Sequence, residues 1–242
     1  MKMTSKIFWL LILLASLSAV AAAQGKRNER PGSTPNKDGS NTGAAKGAAA
    51  PAFFYEFTRT GFSYSLILIE HDDAGKGKIA FLKDGHDELI TDPIELSTAT
   101  LAKINGVLTD MKFLDSTEDY QYAKDYSHLG NVIFTLKRDG RERTAKYNWT
   151  ENAGAKALMD EYRRIANEYT WRFEILLARE NQPLLTPGLV EALESYIRRD
   201  EISDPAHLLP FLTPLSTDER LPLMARNRTV KIIKEIEKQK PK

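Results

Sequence analysis

The sequence predicts an α+β protein. An antiparallel sheet of four to six strands should carry helices on one face, with an all-helical part appended at the C-terminal end. Three observations predict this. Runs of β-branched and aromatic residues come in pairs around Asp/Gly-rich breaks, the mark of β-hairpins. Two later stretches repeat apolar residues at three- and four-residue spacing, the mark of amphipathic helices. Beyond residue 180 the pattern is helical throughout, broken by prolines. In such a two-layer arrangement one sheet face stays open unless a further part or a partner covers it.

Two segments precede the fold. Residues 1–23 join Lys2 and Lys6 to an almost wholly apolar run over 7–20, and Ala21-Ala22-Ala23 stands before Gln24. A basic start, a short apolar stretch and small residues at a cleavage site predict a secretory signal peptide cut after Ala23. The apolar run through Ala23 is 17 residues long, at the short limit for a bilayer span. A retained anchor is therefore the alternative. Residues 24–52 are rich in Gly, Ala, Pro, Ser and Asn and hold no aromatic or β-branched apolar residue. Such a segment cannot offset its ordering entropy by burial and is expected to be a disordered linker.

The first ordered domain is expected over 53–179. Residues 53–60 and 64–70 read as strands separated at Gly61, residues 71–77 as a turn, 78–82 as the return strand, and 87–93 as a further short strand. Ser97 caps the next helix, in which Leu101, Ile104, Leu108 and Met111 share one face. Phe113 and Leu114 should seal its end. Residues 115–129 are polar and read as a loop. Residues 131–137 and 142–149 form a hairpin around Asp139-Gly140, a pair suited to positive φ. A long helix over 151–179 follows, with Leu158, Tyr162, Ile165, Tyr169, Phe173 and Leu176 as a continuous stripe. Its first half should pack on the sheet, and its second half, past Tyr169, should project beyond. The helical C-terminal region, 180–242, is expected to hold a short helix over 189–197, only short helical turns over 204–215 with its Pro205, Pro210 and Pro214, and a last helix over 218–238 with Leu221, Met224, Ile232, Ile233 and Ile236 as its apolar set.

Composition bounds the function. The 242 residues include no cysteine, which excludes a lipidated cysteine and disulfides and leaves the fold to core packing. Without Lys2 and Lys6, the 34 basic residues become 32, against 33 acidic ones. This balance offers no long-range field for nucleic acid or an anionic membrane.

The chemical motifs are sparse. His71-Asp72-Asp73 and His86-Asp87-Glu88 read as turn residues rather than metal ligands. Gly75-Lys76-Gly77-Lys78 lacks the Gly-x-x-x-x-Gly-Lys-Ser/Thr spacing of a phosphate loop. Ser127 and His128 are adjacent and point apart, and no nucleophile elbow or zinc-protease spacing occurs. No catalytic residue, metal or cofactor is assigned. The sequons Asn148-Trp149-Thr150 and Asn227-Arg228-Thr229 are expected to stay unmodified in what reads as a bacterial protein. The one candidate recognition surface is the aromatic loop carrying Tyr120, Tyr122, Tyr126 and His128, because tyrosine combines rigid contact area with a polar tip. The competing role for one or two of these tyrosines is to fold back over the core.

From Phe62 to Ile175 the order of elements resembles small exported bacterial domains of unknown function. The matching pieces are Tyr64-Ser65-Leu66, the helix from Leu101 to Met111, Phe113-Leu114, the Tyr/Asp-rich stretch 119–126 and the hairpin over 132–147. The resemblance implies the two-layer fold and no activity. Together these readings lead to an exported, periplasmic or secreted protein, a non-catalytic binding or interaction module of the cell envelope. It would present its sheet face and tyrosine loop to an envelope protein, a peptide or a glycan. A small envelope hydrolase using unidentified carboxylates and a signal-anchored structural protein are the alternatives; membrane association follows only if the leader is retained.

Overall fold

The structure is a computed structural model, described here over residues 50–239. The signal peptide expected at 1–23 and all but the end of the linker expected at 24–52 lie outside the described residues. Six strands form one antiparallel sheet: β1 (Phe53–Thr58), β2 (Tyr64–His71), β3 (Lys76–Lys83), β4 (Leu89–Glu95), β5 (Asn131–Arg138) and β6 (Arg141–Tyr147), in the order β4-β3-β2-β1-β5-β6. β1 thus lies inside the sheet, with Phe53 facing His71 on one side and Leu136 on the other. The ladder begins one residue early. Ala52, placed in the linker by composition, donates to the His71 carbonyl at 2.9 Å and accepts from Lys137 N–H at 2.8 Å.

The two-residue period of the strands divides the faces. Phe53, Tyr55, Ile69, Ile79, Phe81, Val132, Phe134 and Leu136 point inward and are buried. The outward residues Phe54, Leu66, Leu68, Leu82 and Ile133 are half-buried among Glu56, Glu70, Lys78 and Lys137. Helices pack on the inner face, as predicted for the α+β class. The Asp139-Gly140 turn has φ of 54° and 71°, the positive values its residue types suit.

Helix α1 (Thr98–Asp110) is capped by Ser97, whose Oγ accepts the Thr100 N–H at 3.1 Å, and buries Leu101, Ile104 and Leu108. Helix α2 (Ala153–Asn181) is capped by Asn152, whose Oδ1 accepts the Ala155 N–H at 2.9 Å. Leu158, Tyr162, Ile165 and Tyr169 of α2 belong to the sheet core. Past Tyr169 the helix enters a second core. There Trp171 and Ile175 pack with residues of α3 (Thr186–Arg198), α4 (Leu209–Thr217) and α5 (Leu223–Gln239). α2 runs on to Asn181, two residues past the end expected for it, and serves both cores. The predicted stripe also rotates: Leu176 is exposed and Ile175 is fully buried in its place, because the second core lies on a different side of the helix from the sheet.

Two C-terminal expectations are corrected. The segment expected to hold only short helical turns is helical but holds a longer element, the nine-residue α4. Pro210 occupies its first turn, where no N–H is required, and Leu212 and Leu215 anchor it in the second core despite Pro214. In the last helix Met224 is exposed, and Ala225, Thr229, Ile232 and Ile236 form the buried set. Among the described residues no helix is long and apolar enough to cross a membrane.

His71, expected in a turn, is fully buried as the last residue of β2. Its ring stacks on Phe53 at 4.4 Å. Its Nδ1 lies 2.8 Å from the Asp72 carbonyl, which can only accept, so Nδ1 carries the proton. Nε2 then accepts from the Tyr162 hydroxyl at 2.9 Å. The rest of the motif behaves as turn chemistry: Asp72 Oδ1 accepts the Ala74 and Lys76 N–H groups, each at 2.9 Å, and Asp73 pairs with Arg138. Burial lowers the His71 pKa below its ordinary 6.5. The unfolded chain therefore binds a proton in a pH range where the folded chain does not. Stability from neutral His71 is complete above about pH 6.5 and is lost as pH falls below it. Thermal melts should show wild-type Tm dropping more steeply below pH 6.5 than that of His71→Gln, which keeps hydrogen-bonding capacity without the titration; parallel slopes would contradict this.

Candidate functional site

The loop holding the predicted recognition residues divides in two. Tyr120 is buried, with its ring 6.3 Å from both Phe113 and Tyr147. Arg143 holds it there, donating to the Tyr120 hydroxyl at 2.9 Å, the Phe113 carbonyl at 2.6 Å and the Glu118 carbonyl at 2.7 Å. Tyr120 is therefore a cover for the core and no part of a recognition surface. Tyr122 and Tyr126 are half-buried and stack at 6.2 Å, while His128 is exposed and sits 6.0 Å from Tyr126. Tyr126 also leans on Trp149 at 5.6 Å.

Asn148 fastens this aromatic cluster to the end of β6. Its Oδ1 accepts from Gln121 Nε2 and Tyr126 N–H, both at 3.0 Å, and its Nδ2 donates to Asp125 at 2.7 Å. The Ser127 N–H and then this amide hold the Asp125 carboxyl below the usual carboxylate range. Asn148 and Trp149 have a second role: both line a cleft that the sequence reading did not anticipate.

The cleft has a volume of about 640 Å³. Its floor is the inner face of the three central strands, with Tyr55 and Phe57 of β1, Ile67 of β2 and Val132 of β5. One wall is α2, where Met159, Arg163, Ala166, Thr170 and Glu174 form a stripe at helical spacing. This stripe is distinct from the one on the sheet and from the one bearing Glu161 and Glu168. Glu161 is tied to Lys103 of α1 and to Ser203, and Glu168 to Arg172. Leu189 and Tyr196 of α3 close the far end, the β1–β2 turn supplies Arg59 and Phe62, and the start of β2 supplies Tyr64. Trp149 and Leu129 join the cleft to the tyrosine loop. Gly130 is required here. Its φ is 104°, and a Cβ would lie 2.4 Å from the Phe57 ring, so any side chain would push Phe57 out of the floor.

Most polar groups of the cleft are already engaged. Glu174 accepts from the Tyr64 hydroxyl at 2.6 Å and from Lys83 at 3.1 Å. Burial, and then this carboxylate, hold the Tyr64 phenol protonated well above the ordinary range. Asn167 donates to the Glu201 carbonyl at 3.1 Å, Thr170 to the Ala166 carbonyl at 2.7 Å, and Arg163 pairs with Asp160 at 3.1 Å. Arg59 differs. Its guanidinium lies 3.4 Å over the Phe62 ring, and it has no carboxylate partner among the described residues. His86, Asp87 and Glu88 are exposed in the β3–β4 connection and do not line the cleft.

Arg59, Phe62 and Trp149 were missed by the sequence reading. The available signals were an aromatic residue directly after a turn glycine in Arg59-Thr60-Gly61-Phe62, and a tryptophan at a strand end. The chain matches no protein-family model and no curated protein. The geometry of the cleft is therefore the basis for a functional reading.

Asn148→Ala leaves the Tyr126 N–H without its acceptor and removes one of the two acceptors at 3.0 Å from the Gln121 amide. It should cost about 1–3 kcal/mol in denaturant unfolding and speed hydrogen exchange at the Tyr126 amide; unchanged exchange there would show that the loop is held by other groups.

Proposed function

We propose that this protein is a non-catalytic binding module of the bacterial cell envelope, and that the cleft between α2 and the central strands is where it binds. The preformed concavity of about 640 Å³ carries this reading. Its size lies within the about 300–1,000 Å³ range of small-molecule sites, which share its apolar floor and sparse polar groups. The charged groups Glu174 and Arg163 are held by neighbours, an arrangement suited to shaping a site rather than to exchanging protons with a substrate. Tyr122, Tyr126 and His128 serve through Trp149 as the outer bank of the cleft. Of the protein, peptide or glycan partners expected from sequence, a concave site of this kind favours a small ligand or a single inserted group over a flat protein surface.

Export is part of the same proposal. It is supported by the basic-apolar-small pattern of residues 1–23 and by the order of elements over 62–175 that resembles small exported bacterial domains. Residues 24–52 would then space the fold from the leader, or tether it if the leader is kept.

The purified full chain should bind the apolar fluorophore Nile red with a micromolar Kd. Met159→Trp, which fills the cleft from the α2 wall, should weaken binding by about tenfold or more, equivalent to about 1.4 kcal/mol, with Tm held within a few degrees. Equal binding by wild type and variant would place the probe elsewhere and remove the cleft from the account.

A further inference from the structure

We propose that the cleft takes a single-chain amphiphile with an anionic head, its apolar chain lying on the floor of the central strands and its head held by Arg59. The inference rests on the reading of the cleft as a binding site and adds the chemistry of the ligand.

Three observations narrow the class. First, the floor strands β1, β2 and β5 are interior to the sheet order β4-β3-β2-β1-β5-β6, so their backbone groups are paired on both sides. An extended peptide cannot add to them as a further strand, the mode by which sheets capture peptides; the free edges belong to β4 and β6. Second, a glycan needs many donors and acceptors, yet the Glu174, Asn148, Asn167 and Thr170 side chains are engaged within the protein, which leaves the Tyr55 and Tyr196 hydroxyls, Ser63 and the Trp149 indole N–H. An apolar body matches the floor of Tyr55, Phe57, Ile67 and Val132. Third, the cation with unspent capacity stands at the rim. Arg59 is half-buried, steadied by its stack on Phe62, and without a carboxylate partner among the described residues. A guanidinium presents a planar fork suited to two oxygens of a carboxylate or phosphate. One anionic group joined to one apolar chain satisfies both halves of the site.

The test titrates the full chain with dodecanoate, dodecyl phosphate, dodecanol and dodecyltrimethylammonium below their micellar concentrations, at pH 8, reading tryptophan fluorescence, since Trp149 and Trp171 line the cleft. At least one of the two anions should bind about tenfold more tightly than dodecanol, and the cation should bind more weakly than dodecanol. Which anion is preferred assigns the head as carboxylate or phosphate. Arg59→Gln should bring anion affinity down to that of dodecanol and leave dodecanol unchanged, while Arg59→Lys should retain a preference. The inference is overturned if the anions and dodecanol bind wild type equally, or if Arg59→Gln keeps the preference; either result leaves the cleft standing as an apolar site. If no chain binds, dodecanol included, the cleft reading falls together with the inference.

Discussion

One helix has to satisfy two cores, and most of the molecule follows from how it does so. α2 is 29 residues long. Its first part lays Leu158, Tyr162, Ile165 and Tyr169 on the sheet, and its second part gives Trp171 and Ile175 to the helical bundle. A straight helix cannot leave the sheet toward a second core and also cover the whole sheet face. On one flank the gap is filled by α1, cross-linked through Lys103, Glu161 and Ser203. On the other flank the inner face near Phe57, Ile67 and Val132 meets only the Met159–Glu174 stripe and the end of α3, and there the cleft opens. Tyr162 fixes the crossing point. Fully buried, it stacks on Tyr55 at 4.8 Å, sits 5.5 Å from Phe134, and donates to His71. A displaced α2 would leave that buried imidazole without its partner, which is costly in an apolar interior.

The strands and helices were legible because their signals are local. Alternation in 131–137, the Asp139-Gly140 turn and the Ser97 cap each report on a few neighbouring residues. The departures have a common origin in tertiary context. His71 follows a strand run and precedes Asp-Asp, so the local pattern assigns it to the turn; the partner of its second ring nitrogen, Tyr162, lies 91 residues away. Tyr120 reads like Tyr122 until Arg143 is seen to hold it inward. Leu176 and Ile175 exchange roles because a second core lies on another side of α2, which periodicity toward a single sheet cannot register.

The candidate site was half legible for the same reason. Tyr122, Tyr126 and His128 stood out by composition and do form one cluster. The cavity beside them depends on five separated segments, around Phe57, Phe62, Val132, Trp149 and the Met159–Glu174 stripe, and no local pattern joins those. Residue type alone also misjudges availability. Several polar side chains of the cleft, Glu174, Asn167 and Arg163 among them, are engaged by neighbours, whereas Arg59, inconspicuous in sequence, is a cleft cation without a carboxylate partner among the described residues. Function in this reading comes from which groups remain unpaired once the fold has formed.

Binding in the cleft is checked by mapping backbone and methyl chemical-shift changes in the labelled protein as dodecanoate is added. It predicts changes concentrated at Phe57, Ile67, Val132, Met159 and Arg59, the inner face beneath α2. Changes concentrated instead at Leu66, Leu68, Leu82 and Ile133, on the outer sheet face, would contradict it.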